Sequence, residues 1–255
     1  MATLPSLTAE PTRHPGCCVS LSQPLLATIQ ALLQSIPSAS LQKEKSDPEY
    51  ESAPQPLILS VGSGSGLLEE LLQLYLNQSV SVSPNWRVEG VEVNSAVNIH
   101  LPEDRINQVA GTWAVLESRA RDAAALMFVY PRDGALVRRY IDAFMTSSLG
   151  TRYSGGKGID EQEGVNGRKS DGGPTGEEDK RVNESANDRY KNGNGGRVQL
   201  VLWLGPKCDW EDTGIASSDA RGDFEVVQMR DGVGLAEYEM LAVLRRKDSP
   251  AKLRR

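Results

Sequence analysis

At 255 residues, with mean hydropathy of -0.39 and an aromatic share of 5%, the chain has the length of one α/β domain but is too polar to be packed core throughout. A net charge of -6 and a pI near 5.2 exclude a general attraction to nucleic-acid phosphates or anionic lipid, leaving only a local basic patch for such a partner. Cys17, Cys18 and Cys208, with no CxxC pair, exclude a disulfide framework and a cysteine zinc site, which suits a reducing interior. The N-terminus, MATLPSLTAEPTRHPG, lacks the basic start and apolar core of a signal peptide, and no stretch is long enough for a membrane span. The expectation is a cytoplasmic protein without a membrane partner.

Residues 1 to 20 are rich in Pro, Thr and Ser and read as an unstructured N-terminus in which Cys17 and Cys18 are bland. From Pro24 onward Leu25, Leu26, Ile29, Leu32, Leu33 and Ile36 recur at helical spacing, with Ser22 as N-cap and Pro37 as terminator. Residues 38 to 56, SASLQKEKSDPEYESAPQP, form a polar linker.

The stretch that organises the rest follows. Leu57, Ile58, Leu59 and Val61 make a nearly continuous apolar run, the pattern of a strand buried on both faces of a parallel sheet. Gly62, Ser63, Gly64, Ser65 and Gly66 come directly after it, and a helix opens at Leu67. Glycines let a ligand approach the main chain, and a helix start offers it unpaired N–H groups. A dinucleotide loop would need its third glycine where Leu67 stands, and a Walker loop would need Lys and Ser or Thr in place of Leu67 and Leu68. Leu68, Leu71, Leu72, Tyr75 and Leu76 continue a crossover helix whose Glu69 and Glu70 complement its positive end. After a polar loop, Trp86 to Val93 alternates into a second strand with Glu92 at its tip, where two carboxylate oxygens can accept both hydroxyl protons of a ribose.

Strand, GxGxG, helix, and then an acidic residue ending the next strand: this arrangement resembles motif I and its sequel in the class I methyltransferases. The resemblance covers residues 57 to 245 without the insertion described below. It implies S-adenosyl-L-methionine as cofactor, held by Gly62, Ser63, Gly64, Ser65 and Gly66, with Glu92 on the ribose and Val93 and Asn94 beside the adenine. Arg105 to Trp113 is expected to contain a short third strand ending at Gly111, Thr112 and Trp113, where relatives carry an acidic or amide residue; here Thr112 stands there and Trp113 offers stacking. Ser60 departs from the family in a place where relatives have an acid. Ser118 to Ala124 reads as a short helix or turn, and Ala125 to Tyr130 as the fourth strand, ending in Tyr130, Pro131, Arg132 and Asp133. That ending lacks the nitrogen-methylating arrangement of Asp or Asn, Pro, Pro and an aromatic. Tyr130 reads as a pocket wall, a general base, the only catalytic candidate, or a plain strand-end aromatic.

Ala135 to Met145 is amphipathic, with Leu136, Val137, Tyr140, Ile141 and Phe144 on one side. Residues 151 to 196 are Gly-rich, charged and nearly free of large apolar groups, the composition of a disordered insertion. Order resumes in a fifth strand at Arg197 to Leu204, followed by β segments at Phe224 to Met229 and Ala236 to Leu244; residues 248 to 255 are a basic tail, solvated or serving nuclear import. The fold expected is α/β, a doubly wound and mostly parallel sheet with helices on both faces and a C-terminal antiparallel hairpin. One domain spans 21 to 150 and 197 to 247. Methyl transfer from a sulfonium needs alignment and exclusion of water rather than a triad or a metal, so His14 and His100 read as incidental and the acceptor, small molecule or protein, is not legible. The alternative is a methyltransferase-like module that has lost catalysis and only binds.

Overall fold

The structure is a computed structural model, and it describes residues 3–41, 55–78, 85–131, 133–145, 198–215 and 224–247. The insertion at 151–196, the basic tail at 248–255, Arg132 and most of the linker lie outside the described residues.

In chain order the elements are α1 (Gln23–Gln34), α2 (Ser38–Leu41), β1 (Leu57–Val61), α3 (Leu67–Gln78), β2 (Arg87–Glu92), β3 (Ile106–Gln108) and α4 (Glu117–Asp122). Then come β4 (Ala123–Val129), α5 (Gly134–Met145), β5 (Leu200–Pro206), β6 (Phe224–Arg230) and β7 (Glu239–Arg246). The strands form one sheet in the order β3-β2-β1-β4-β5-β7-β6. Pairing is parallel from β3 through β5, and β7 enters antiparallel between β5 and β6. The expected sheet, with its C-terminal antiparallel hairpin, is therefore present.

The reason lies in the apolar runs. Every residue of β1 and of β4 is buried, as strands covered on both faces must be. On one face Leu25, Leu26, Ile29 and Leu33 of α1 and Leu68 and Leu72 of α3 pack against Ile58, Met127, Leu202 and Val243. On the other, Val137, Tyr140 and Ile141 of α5 and Ala120 of α4 meet Leu59, Phe128, Trp203 and Ala242. Each such fully buried aliphatic side chain contributes about 1.5–3 kcal/mol relative to exposure, so these two cores hold the three layers together. Ser22 caps α1 as expected: its Oγ accepts from Leu25 N at 3.2 Å and donates to Gly234 O at 2.7 Å.

Two expectations need revision. The third strand, short as expected, ends before Gly111: β3 pairs with β2 only from Ile106 to Gln108, and a turn closing Ala114 N onto Gly111 O follows. The N-terminal segment, read as unstructured, is an arm. Thr12 and Leu21 form an antiparallel bridge, Val19 and Leu21 are fully buried, and Leu4, Leu7 and Cys17 pack against the core. Its partners are far along the chain: Ser20 N bonds the Glu239 carboxylate, and Ser22 bonds Gly234.

Strand order reverses between β1 and β4, since β2 and β3 lie on one side of β1 and the later strands on the other. In open α/β sheets the crevice outside the carboxyl ends at such a switch point is where ligands bind. The glycine loop follows β1 there.

Candidate functional site

The loop bends because its glycines adopt conformations other residues avoid: Gly62, Gly64 and Gly66 have φ of +84°, +54° and +77°. At Gly62 the constraint is double, since a Cβ would also stand 3.1 Å from Val129 O at the tip of β4. Gly62 N and Ser63 N both donate to Val91 O, at 3.0 and 3.3 Å, tying the loop to the end of β2. Gly62 is exposed and Gly64 half-buried, so the backbone of the bend faces outward. Ser63 and Ser65 turn inward; both are buried, and the Oγ of each lacks a hydrogen-bond partner among the described residues.

Glu92 meets this bend directly. Its Oε2 accepts from Gly64 N at 2.9 Å and its Oε1 from Val93 N at 2.8 Å. The loop, Glu92 and Val93 thus share one place at neighbouring strand tips. Each carboxylate oxygen has two acceptor sites, so both bonds leave capacity for two hydroxyl donors. Thr112 and Trp113 stand beyond β3, whose Gln108 pairs with Glu92. Thr112 is exposed, and Trp113, 65% exposed as a residue, folds its ring back over Gly111, where any side chain would collide with it.

Tyr130 ends β4 on the other side of the loop and is the only non-glycine residue at positive φ, +47°, among those described. Its N donates to Leu204 O at 2.7 Å and its hydroxyl donates to Glu239 Oε1 at 2.5 Å. Burial, then the Glu239 carboxylate, push the phenol well above its ordinary range. A tyrosine that keeps its proton and donates it to a carboxylate fits a wall and an anchor, not a general base. Glu239, fully buried at the start of β7, also accepts from Ser20 N, Ser20 Oγ and Ala236 N, so it knots the arm, β4 and β7 together.

The arm brings its own residues to the loop. A Cβ on Gly16 would stand 3.1 Å from Ser65 Cβ, and Gly16 O is the nearest atom to the space beside Gly64. Burial pushes the Cys17 thiol up to about 12, with Glu69 adding to the rise, so this thiol is not a nucleophile.

Glu69 carries more than the sequence pattern shows. It lies in the first turn of α3 as expected, and there it is fully buried, its Oε1 accepting from Ser60 Oγ at 2.6 Å. The carboxyl missing from β1 at Ser60 is thus supplied to the same spot by α3. A hydroxyl inside an otherwise apolar strand is the signal that would have found it, because a buried Ser needs a partner. A cavity of about 520 Å³ opens beside Lys207, Trp210, Glu211, Asp231 and Met240. It lies at the β5–β7 end of the sheet edge and is not lined by the glycine loop.

Among the described residues no helix is long and apolar enough to cross a membrane, and no cluster of His, Cys, Asp and Glu could hold a metal ion. No protein-family model and no curated protein sequence matches the chain. Among solved structures, the methyltransferase domain of a bacterial Hen1 is similar at 13% identity and a TM-score of 0.39, covering 88% of this chain and 98% of that one. The antibiotic-resistance methyltransferase Kmr is similar at 10% identity and a TM-score of 0.39, covering 90% and 97%. A candidate tRNA methyltransferase of Streptococcus pneumoniae, in complex with S-adenosyl-L-methionine, is similar at 12% identity and a TM-score of 0.37, covering 87% and 73%. Likenesses this loose leave the fold to be argued from the strand order itself. That order, with β7 antiparallel between β5 and β6, is the sheet expected from the resemblance to the class I methyltransferases.

Proposed function

We propose that this chain binds S-adenosyl-L-methionine at the tips of β1 and β2 and transfers its methyl group to a small-molecule or protein acceptor. The observation that carries the reading is the 2.9 Å bond from Gly64 N to Glu92 Oε2, which joins the glycine bend and the acidic strand tip into one site. In this reading Gly62, Gly64 and Gly66 admit the ligand to the main chain, Glu92 takes the ribose hydroxyls, and Val93, Thr112 and Trp113 flank the adenine. Tyr130, anchored by Glu239, walls the methyl end. The cofactor, when bound, supplies a methyl group on a cationic leaving sulfur, so the residues of the chain need only align the acceptor and exclude water. The outward-facing loop backbone at Gly62 and Gly64 suits a polar ligand of this kind.

Calorimetry with S-adenosylhomocysteine tests the reading. Heat of binding is expected, and Glu92→Ala is expected to weaken it by ~1–3 kcal/mol, the value of hydrogen bonds to a charged acceptor. The melting temperature of the variant, taken alongside, separates lost binding from a loop disturbed by loss of the bond to Gly64. Absence of heat, or heat unchanged in the variant, contradicts the cofactor reading.

A further inference from the structure

The arm that precedes α1 has two halves of opposite character. Its base, Val19 to Ser22, is buried throughout and fixed to distant elements: Ser20 N and Oγ donate to the Glu239 carboxylate, and Ser22 Oγ donates to Gly234 O at 2.7 Å. Its tip, Arg13 to Cys18, is a turn closed on itself. Cys17 N donates to His14 O at 3.1 Å, Gly16 takes φ of +79°, and Arg13 Nη2 donates to Cys18 O at 2.8 Å. Arg13, Pro15, Gly16 and Cys18 are exposed, while Cys17 packs against the core.

The tip reaches from one strand end to another. On one side the Arg13 guanidinium lies over the Tyr238 ring, 5.7 Å from its centre, next in the chain to Glu239 and the Tyr130 hydroxyl that Glu239 holds. On the other, Gly16 rests on the glycine bend. A Cβ there would stand 3.1 Å from Ser65 Cβ and 3.2 Å from Ser65 Oγ, and Gly16 O lies 3.6 Å from where a Cβ of Gly64 would be. Yet among the described residues no hydrogen bond joins residues 13–18 to residues 62–66. The tip meets the bend by apposition alone, at ~0.1–0.2 kcal/mol for each pair of touching atoms. An exposed backbone with few bonds to its surroundings is the part of a structure that opens at low cost. A base locked by a buried carboxylate and a tip seated by contact describe a hinged cover.

We propose that residues 13–18 form a strap across the mouth of the cofactor site, whose tip lifts to admit the ligand and seats again on the glycine bend while the Glu239 latch stays closed. The inference rests on the cofactor reading and adds to it an order of events. Gly62 is exposed, but the tip lies against Gly64 and Ser65, so the bend is open on one side and covered on the other. With the ligand in place, a seated tip keeps water from the methyl end, which is what transfer from a sulfonium requires. Glycine at position 16 lets the tip seat: any other side chain meets Ser65 and is strained at that φ.

The test is a tether. Gly16→Cys with Ser65→Cys, in a chain carrying Cys17→Ala, Cys18→Ala and Cys208→Ala, sets the two new thiols on carbons 3.1 Å apart, close to the ~3.5–4.5 Å of a disulfide. Calorimetry with S-adenosylhomocysteine is expected to show binding to the reduced protein, none when the disulfide is formed first, and recovery on reduction. When the disulfide is formed after loading, the ligand is expected to stay bound through dialysis. Equal affinity of the reduced and oxidised proteins overturns the proposal. Gly16→Val supplies a measurement that needs no tether, because its side chain unseats the tip and leaves the Glu239 latch intact. Dissociation of S-adenosylhomocysteine, followed by stopped-flow displacement, is expected to be about tenfold faster than from the native chain; an unchanged rate also overturns the proposal. No binding to the native chain removes the cofactor reading and this inference with it, whereas binding that the tether leaves untouched removes the inference alone.

Discussion

Glu69 and Glu89 are both buried carboxyls beside the same strands, and the sheet equips them in opposite ways. Glu89, in β2, is met by Arg87 Nε at 2.7 Å, by Arg119 Nε at 2.9 Å and by Asn107 Nδ2 at 3.2 Å. Burial alone would push it up, but the hydrogen bonds from Arg119, Arg87 and Asn107 outweigh burial and hold it below the usual carboxylate range. Glu69 has one neutral hydroxyl and burial, and rises to about 7. A carboxylate supplied with its own cations is a finished structural unit that ties β2 to β3 and α4. One left without a cation among the described residues is held neutral by its burial rather than paired.

The contrast breaks most visibly at Glu89. Glu89→Ala takes from Arg87 and Arg119 their buried partner and is expected to cost about 3 kcal/mol, at the low end for a broken buried pair because each arginine remains about one-third exposed and keeps an aspartate, Asp104 at 3.1 Å and Asp122 at 3.8 Å. Urea unfolding at pH 7 measures it; a loss under 1 kcal/mol would mean the network is ornamental. Glu69→Gln is expected to act in the other direction and to a similar extent. A carboxyl raised from 4.5 to about 7 loses stability as pH climbs between those values, since only the unfolded chain has released its proton. The wild type therefore carries a penalty above pH 7 that the variant lacks, and at pH 8 the variant is expected to be more stable by on the order of 3 kcal/mol. Below pH 4.5 the two should converge. Glu89 has the opposite sign: its contribution is complete above the unfolded carboxylate range and fades as pH falls. Thermal melts across pH 4 to 8 separate the two, and parallel curves would abolish the distinction.

Much of this was legible in the chain, for a reason of range. β1, the glycine bend, α3 and the tip of β2 lie within residues 57 to 92, and local pattern fixes them: a continuous apolar run, glycines where φ turns positive, an acid at a strand end. What pattern reading missed is held by contacts distant in sequence. The arm looked structureless because its polar composition says nothing of Glu239, which Ser20 reaches 219 residues away. Tyr130 left three roles open until its hydroxyl was found on the same carboxylate, 109 residues on. The burial of Glu69 was hidden for a different reason: an acid in a first helical turn has an ordinary explanation in the helix dipole, and only the Ser60 hydroxyl nine residues earlier points to a covered carboxyl.

The central claim, that the bend after β1 and the tip of β2 form one nucleoside site, is tested most directly by amide NMR shifts on titration with S-adenosylhomocysteine. Large shifts are expected at Gly62, Gly64, Gly66 and Val93, with the N–H of Gly64 moving as Glu92 turns part of its hydrogen bonding to the ligand. A spectrum unchanged at these four amides at millimolar ligand, or shifts gathered around Lys207 and Asp231 instead, would contradict it.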